Sequence, residues 1–128
     1  MTVANAQRKI LIVEDDADIR GLLSLRLRQR SYDTSFATDG MTALTVARRE
    51  QPDLVVLDLG LPAGDGFTVM ERMRAITSLA AVPVVVITAR DSATNRERAQ
   101  ACGAVAFVEK PIDFDQLLET IDALLTDS

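Results

Sequence analysis

The feature that most constrains this chain is a regular alternation of short apolar runs with longer amphipathic stretches. The runs are Ile10–Val13, Leu54–Leu57, Val82–Ile87 (broken by Pro83) and Val105–Val108, and a more polar one, Thr34–Ala37, lies between the first two. They are rich in β-branched residues and apolar throughout rather than at every second position. That pattern marks strands covered on both faces, as in a parallel sheet. Between them lie helical patterns. Ile19, Leu22, Leu23 and Leu27 form a stripe at three- and four-residue spacing, with Arg20, Arg26 and Arg30 outside it. Met41–Arg49 follows an Asp39-Gly40 turn, Phe67–Ile76 follows Gly64-Asp-Gly66, and Ser92–Ala101 stops before Gly103. Asp113–Leu125 carries Phe114, Leu117, Leu118, Ile121 and Leu125 on one face. Five strands alternating with five helices predict a (βα)5 doubly wound α/β fold with right-handed crossovers.

Composition then excludes whole classes of function. A length of 128 residues argues for one domain, large enough for a core without disulfides or structural metals. Apolar residues at 48% and charged residues at 26% exclude intrinsic disorder as the main state. Fourteen basic against nineteen acidic residues, a net charge of −5, argue against direct binding of nucleic acid. The chain has no histidine and a single cysteine, Cys102, which removes cysteine–histidine zinc sites, serine–histidine triads and imidazole acid/base chemistry. No stretch approaches the ~18 apolar residues of a membrane span, and Ile10–Val13 is too short for a signal peptide. The expectation is a cytoplasmic protein with no membrane partner.

Ligand sites in doubly wound sheets lie at the carboxyl ends of the strands, so the residues just past each run matter most. The first run ends in Glu14-Asp15-Asp16, the third in Asp58, the fourth in Thr88-Ala89 and the fifth in Glu109-Lys110-Pro111. Polar residues follow apolar runs wherever strands reach the surface, so each is commonplace alone. Asp16 reads as a helix N-cap and Asp65-Gly66 as turn chemistry. Asp58 is different, because it stands between Leu57 and Leu59 inside an apolar run. A carboxylate there costs several kcal/mol unless a cation or a lysine compensates it. Lys110 is a candidate: only Lys9 and Lys110 are lysines, and the other twelve basic residues are arginine.

The ordered set Ile10-Leu-Ile-Val-Glu-Asp-Asp16, Asp58-Leu-Gly-Leu-Pro-Ala-Gly-Asp-Gly66, Ile87-Thr-Ala89 and Lys110-Pro111 resembles the receiver domain of two-component response regulators, over roughly Lys9 to Leu125. The resemblance implies a flavodoxin-like sheet in the order 2-1-3-4-5. It divides the chain into a short N-terminal extension over 1–8 and a receiver domain over 9–126, with no output domain in this chain. It makes Asp58 the acceptor of a phosphoryl group from the phosphohistidine of a sensor histidine kinase or a histidine phosphotransfer protein. It assigns a Mg2+ (or Mn2+) ion to Glu14, Asp15, Asp58 and the backbone carbonyl of Gly60. Thr88, Ala89 and Lys110 would bind the phosphoryl oxygens, and Lys110–Pro111 would be a cis peptide. Thr88 and Phe107 would form the switch that reshapes a surface for an output partner or domain of unknown kind. The expected role is a signalling domain that catalyses only its own phosphorylation and dephosphorylation. The chemistry is sound by itself, since a carboxylate repels an incoming phosphoryl group and transfer depends on positioning and charge neutralisation.

The chain departs from the family pattern in places. Gly60 has no side chain to orient water, and Arg90, at the lip of the site, is expected to shield the acyl phosphate. Gly103-Ala104 is followed by Val105-Ala106 rather than the aspartate pair of regulators with winged-helix DNA-binding outputs. Rival readings fare worse. A flavin module on this fold needs a phosphate-cradling first loop, which Glu14-Asp-Asp-Ala-Asp18 would repel. A haloacid-dehalogenase-type phosphatase wants an acid where Gly60 stands. A pseudo-receiver that only binds partners would not need the acid pair, Asp58, Thr88 and Lys110.

Overall fold

A computed structural model describes residues 7–61, 66–89 and 93–126. Arg90, Asp65 and Ser92, singled out in the sequence, lie outside these residues, as do the first six positions of the N-terminal extension. The order of elements is β1 (Lys9–Val13), α1 (Ala17–Gln29), β2 (Asp33–Ala37), α2 (Gly40–Glu50), β3 (Leu54–Asp58), α3 (Gly66–Ala75), β4 (Val84–Thr88), α4 (Ala93–Ala101), β5 (Ala106–Glu109) and α5 (Phe114–Leu125). The strands form one parallel sheet in the order β2-β1-β3-β4-β5. It is the doubly wound, flavodoxin-like arrangement. No helix among the described residues is long and apolar enough to cross a membrane.

The two faces of the sheet explain the continuous apolar runs. Leu11, Val13, Val55, Leu57, Val84 and Val86 point to one side, where α2, α3 and α4 supply Ala43, Val46, Phe67, Met70, Met73 and Ala99. Ile10, Ile12, Leu54, Val56, Val85 and Ile87 point to the other, against Leu23 and Leu27 of α1 and Leu117, Leu118 and Ile121 of α5. Between its ends each central strand is therefore apolar at every position, and the strand period of two sorts alternate residues into two cores. Asp122 latches α5 to α1: it accepts from Tyr32 Oη at 2.6 Å and from Arg30 Nη1. Burial together with this carboxylate pushes the Tyr32 phenol up to about 12.

Three details differ from the sequence expectation. Strand β4 begins at Val84 rather than Val82, because Val82 N donates to Leu79 O in a turn and Pro83 has no N–H for the ladder. Pro83 contributes only its carbonyl, accepting from Val55 N at 3.0 Å. Strand β5 is shifted by one, to Ala106–Glu109, leaving Val105 largely exposed. On α1, Leu22 is 43% exposed, and Ser24 takes a buried position instead. The polar strand β2 explains this, since Ser24 Oγ and Thr34 Oγ1 share a hydrogen bond of 2.9 Å. The hydroxyl is satisfied and its burial costs little.

Candidate functional site

The register of the sheet gathers the polar strand ends. Val13 lies opposite Leu57, so Glu14 and Asp58 emerge side by side; Asp58 lies opposite Ile87 and Thr88 opposite Glu109. The result is an open cleft of about 400 Å³ lined by Glu14, Asp15, Asp16, Asp58, Leu59, Gly60, Ala89, Asn95 and Lys110. Glu14, Asp58 and Thr88 are buried, whereas Asp15 is exposed. Carboxylate oxygens of Glu14, Asp15 and Asp58 all lie within 4.8 Å of one another.

Asp58 sits at the end of the central strand, and both of its oxygens are held. Oδ1 accepts from Gly60 N at 2.9 Å, and Oδ2 accepts from Lys110 Nζ at 3.2 Å. The lysine reaches it from the end of β5, where the peptide bond Lys110–Pro111 is cis. Burial pulls the Lys110 ammonium down, but the Asp58 hydrogen bond and the charges of Asp58, Glu14 and Asp15 outweigh it and raise its pKa. A close approach of backbone constrains the chain beyond Asp58. A Cβ on Gly66 would stand 3.0 Å from Leu59 Cδ2 and 3.3 Å from Asp58 O, so any side chain here makes Leu59 and the Asp58 backbone give way at the start of α3.

The acidic loop after β1 is shaped by Asp16, whose side chain caps α1 by accepting from Asp18 N and Ile19 N. Glu14 Oε2 accepts from Asp16 N at 3.2 Å, but its buried Oε1 has no partner among the described residues. Burial, reinforced by the Asp58 carboxylate, pushes Glu14 from 4.5 up to about 7. The folded state thus holds this proton more tightly than the unfolded chain, so the stability it contributes is full below pH 4.5 and lost as pH rises through 7. In chelator, Glu14→Gln is expected to gain on the wild type by about 2–3 kcal/mol between pH 5 and 8. Parallel denaturation curves at each pH check this, and a constant gap between the two proteins refutes it.

The buried hydroxyl of Thr88 is the second polar atom without a partner among the described residues. Phe107, one strand over, is half-buried against the sheet, and Arg96 of α4 lies over its ring at 5.7 Å. The sequence missed two contributors. Asn95, on α4, lines the cleft. Arg20, grouped with the outward arginines of α1, donates from Nη1 to the carbonyls of Glu14 and Asp15, each at 3.1 Å. Helical side chains lean toward the N-terminus, so a residue four past the Asp16 cap can fold back over the loop. That direction is the signal that was available.

The donor set fits a hard divalent cation on this structure's own terms. It is all oxygen, three of its carboxylates converge, and one buried carboxylate oxygen lacks any partner among the described residues. Comparison with known proteins agrees with the fold. A family profile described as response regulator receiver domain matches residues 10–122. The chain is 38% identical over 117 residues to the DNA-binding dual master transcriptional regulator RpaA of a Synechocystis strain, covering 91% of this chain and 48% of RpaA. It thus spans about half the length of that relative. Among solved structures, the chemotaxis response regulator CheY4 of Vibrio cholerae superposes with a TM-score of 0.87 at 28% identity, covering 94% of this chain and 100% of that one. The receiver domain of the sensor histidine kinase PA1611 from Pseudomonas aeruginosa, solved with a magnesium ion coordinated in its active site cleft, gives 0.84 at 27% identity, with 93% and 98% covered. The chain belongs to the response regulator receiver domains, the phosphoacceptor signalling domains of two-component systems.

Proposed function

We propose that Asp58 is the phosphoacceptor and that this chain is charged by a histidine kinase or a histidine phosphotransfer protein. The observation that carries the reading is the buried Asp58 carboxylate, neutralised by Lys110 and clustered with Glu14 and Asp15. A carboxylate oxygen of Asp58 attacks phosphorus, the bond from phosphorus to the imidazole nitrogen of the donor breaks, and an acyl phosphate forms. Lys110 is placed to leave Asp58 for a phosphoryl oxygen, and the Thr88 hydroxyl has a proton to donate to another. The backbone N–H of Ala89, at the lip of the cleft, serves a third.

Glu14, Asp15, Asp58 and the Gly60 carbonyl would hold Mg2+ (or Mn2+), which when bound offsets the negative charge of both carboxylates and phosphoryl group. The switch is the pair Thr88 and Phe107: a hydroxyl drawn to the phosphoryl group frees room for a half-buried ring. The functional unit is residues 9–126, it turns over no substrate beyond its own phosphoryl group, and it works in the cytoplasm on an output partner or domain.

Incubation with a small acyl phosphate, read by intact-mass spectrometry, tests the reading. One phosphoryl group is expected with magnesium and none with chelator; equal labelling in both sinks the cation site. Magnesium should also raise the melting temperature, because it relieves repulsion among clustered carboxylates. Asp15→Asn should lose most of that rise, and equal responses in the two proteins count against Asp15 as a ligand.

A further inference from the structure

We propose that Arg20, steadied by Phe36, is a positioning residue for the cation site: its guanidinium holds the Glu14–Asp15 backbone in the shape that receives a divalent cation. The inference rests on the proposed reading of Glu14, Asp15 and Asp58 as that site.

The geometry is a clamp on main chain. A single nitrogen, Arg20 Nη1, donates to two consecutive carbonyls, Glu14 O and Asp15 O. From the other side, Glu14 N donates to Ala37 O at the end of β2, at 3.1 Å. The loop is thus tied at its amide to the sheet and at its carbonyls to α1. Phe36 stands next to Ala37 on the edge strand, and it is 51% exposed. An exposed aromatic ring on an edge strand calls for a reason. Here the Arg20 guanidinium lies over it, 5.8 Å from the centroid, where the ring face attracts a cation.

The side chains of Glu14 and Asp16 secure only the later amides of the loop, those of Asp16, Asp18 and Ile19, and leave the Glu14 and Asp15 carbonyls to the clamp. Asp15 is exposed, and Glu14, Asp15 and Asp58 repel one another until a cation arrives. With the backbone fixed, the carboxylates start near their bound positions and less ordering remains to be done on binding. Charge alone acts the opposite way, since a guanidinium near the site repels a metal ion. The two effects therefore differ in sign, and Arg20→Lys separates them: it keeps the charge and loses the planar fork and the stacking.

Calorimetric titration of the full chain with Mg2+ decides the matter. Arg20→Lys and Arg20→Ala are each expected to weaken binding by roughly three- to tenfold, the net scale of one ordinary hydrogen bond. Phe36→Leu, which keeps the apolar contact and loses the ring, should weaken it by about twofold. With a small acyl phosphate as donor, the magnesium concentration giving half-maximal phosphorylation should rise by the same factors. The rate at saturating magnesium should stay near the wild type. A merely structural role would lower the melting temperature in chelator and leave the Mg2+ midpoint in place, which overturns the proposal. So does an unchanged or tighter midpoint in both Arg20 variants. A wild type that binds no Mg2+ overturns the site reading and this inference with it, whereas binding that the Arg20 variants match overturns the inference alone.

Discussion

Asp58→Asn is expected to abolish phosphoryl uptake while leaving the fold intact. The amide has no charged oxygen to attack phosphorus, and an acyl phosphate cannot form on it. The cost elsewhere is expected to be modest, since Lys110 loses its carboxylate while Glu14 and Asp15 lose a repelling neighbour. The amide oxygen of the variant can still accept from Gly60 N, the contact that shapes the turn after β3, and the side chain keeps its size in a tightly packed strand end. Intact-mass spectrometry after treatment with a small acyl phosphate, beside a melting curve, checks both halves. A variant that labels as well as the wild type places the acceptor elsewhere. A variant that fails to fold shows instead that the charge at this position is structural.

The second large effect is on stability and concerns the opposite partner. Lys110→Met keeps an apolar stem of similar length and removes the ammonium that pairs with Asp58 at 3.2 Å. Removing one member of a fully buried pair costs about 3–5 kcal/mol. Lys110 is 37% exposed, so solvent screens part of that, and roughly 2 kcal/mol is expected in chelator. For a chain of this size that lowers Tm by roughly 5 °C or more. The variant should then gain more from magnesium than the wild type does, because three carboxylates are left without their counter-charge. Melting curves with chelator and with magnesium measure both quantities. If Lys110→Met melts with the wild type in chelator, the ion pair does not stabilise the site.

Much of this was legible in one dimension. Two-sided burial leaves an unbroken apolar run, so the three inner strands showed themselves, and Asp58 stood out as a charge where that pattern forbids one. What hid were features whose partners are distant in sequence. Leu22 fitted the α1 stripe by spacing, yet Ser24 occupies the buried place because Thr34, ten residues on, supplies its hydrogen bond. Periodicity counts apolar atoms and cannot register a satisfied hydroxyl. Arg20 looked like any outward arginine, since its role depends on which way the side chain leans rather than where its Cα lies. Val82 is apolar enough to extend β4, but the missing N–H of Pro83 shortens that strand.

The assembly of the site from distant strand ends ties competence to completeness. Lys110 lies 52 residues beyond Asp58 and reaches it only after β5 has added to the open edge of β4. Without β5, the rim would carry three acidic groups with no ammonium among them. Closing that gap brings the Lys110 ammonium to the rim and covers the open edge of β4 together, so docking of β5 is rewarded twice. A chain interrupted before Lys110 therefore cannot be a weakened version of the domain. It lacks the counter-charge and the final strand together, because one element, β5, carries both.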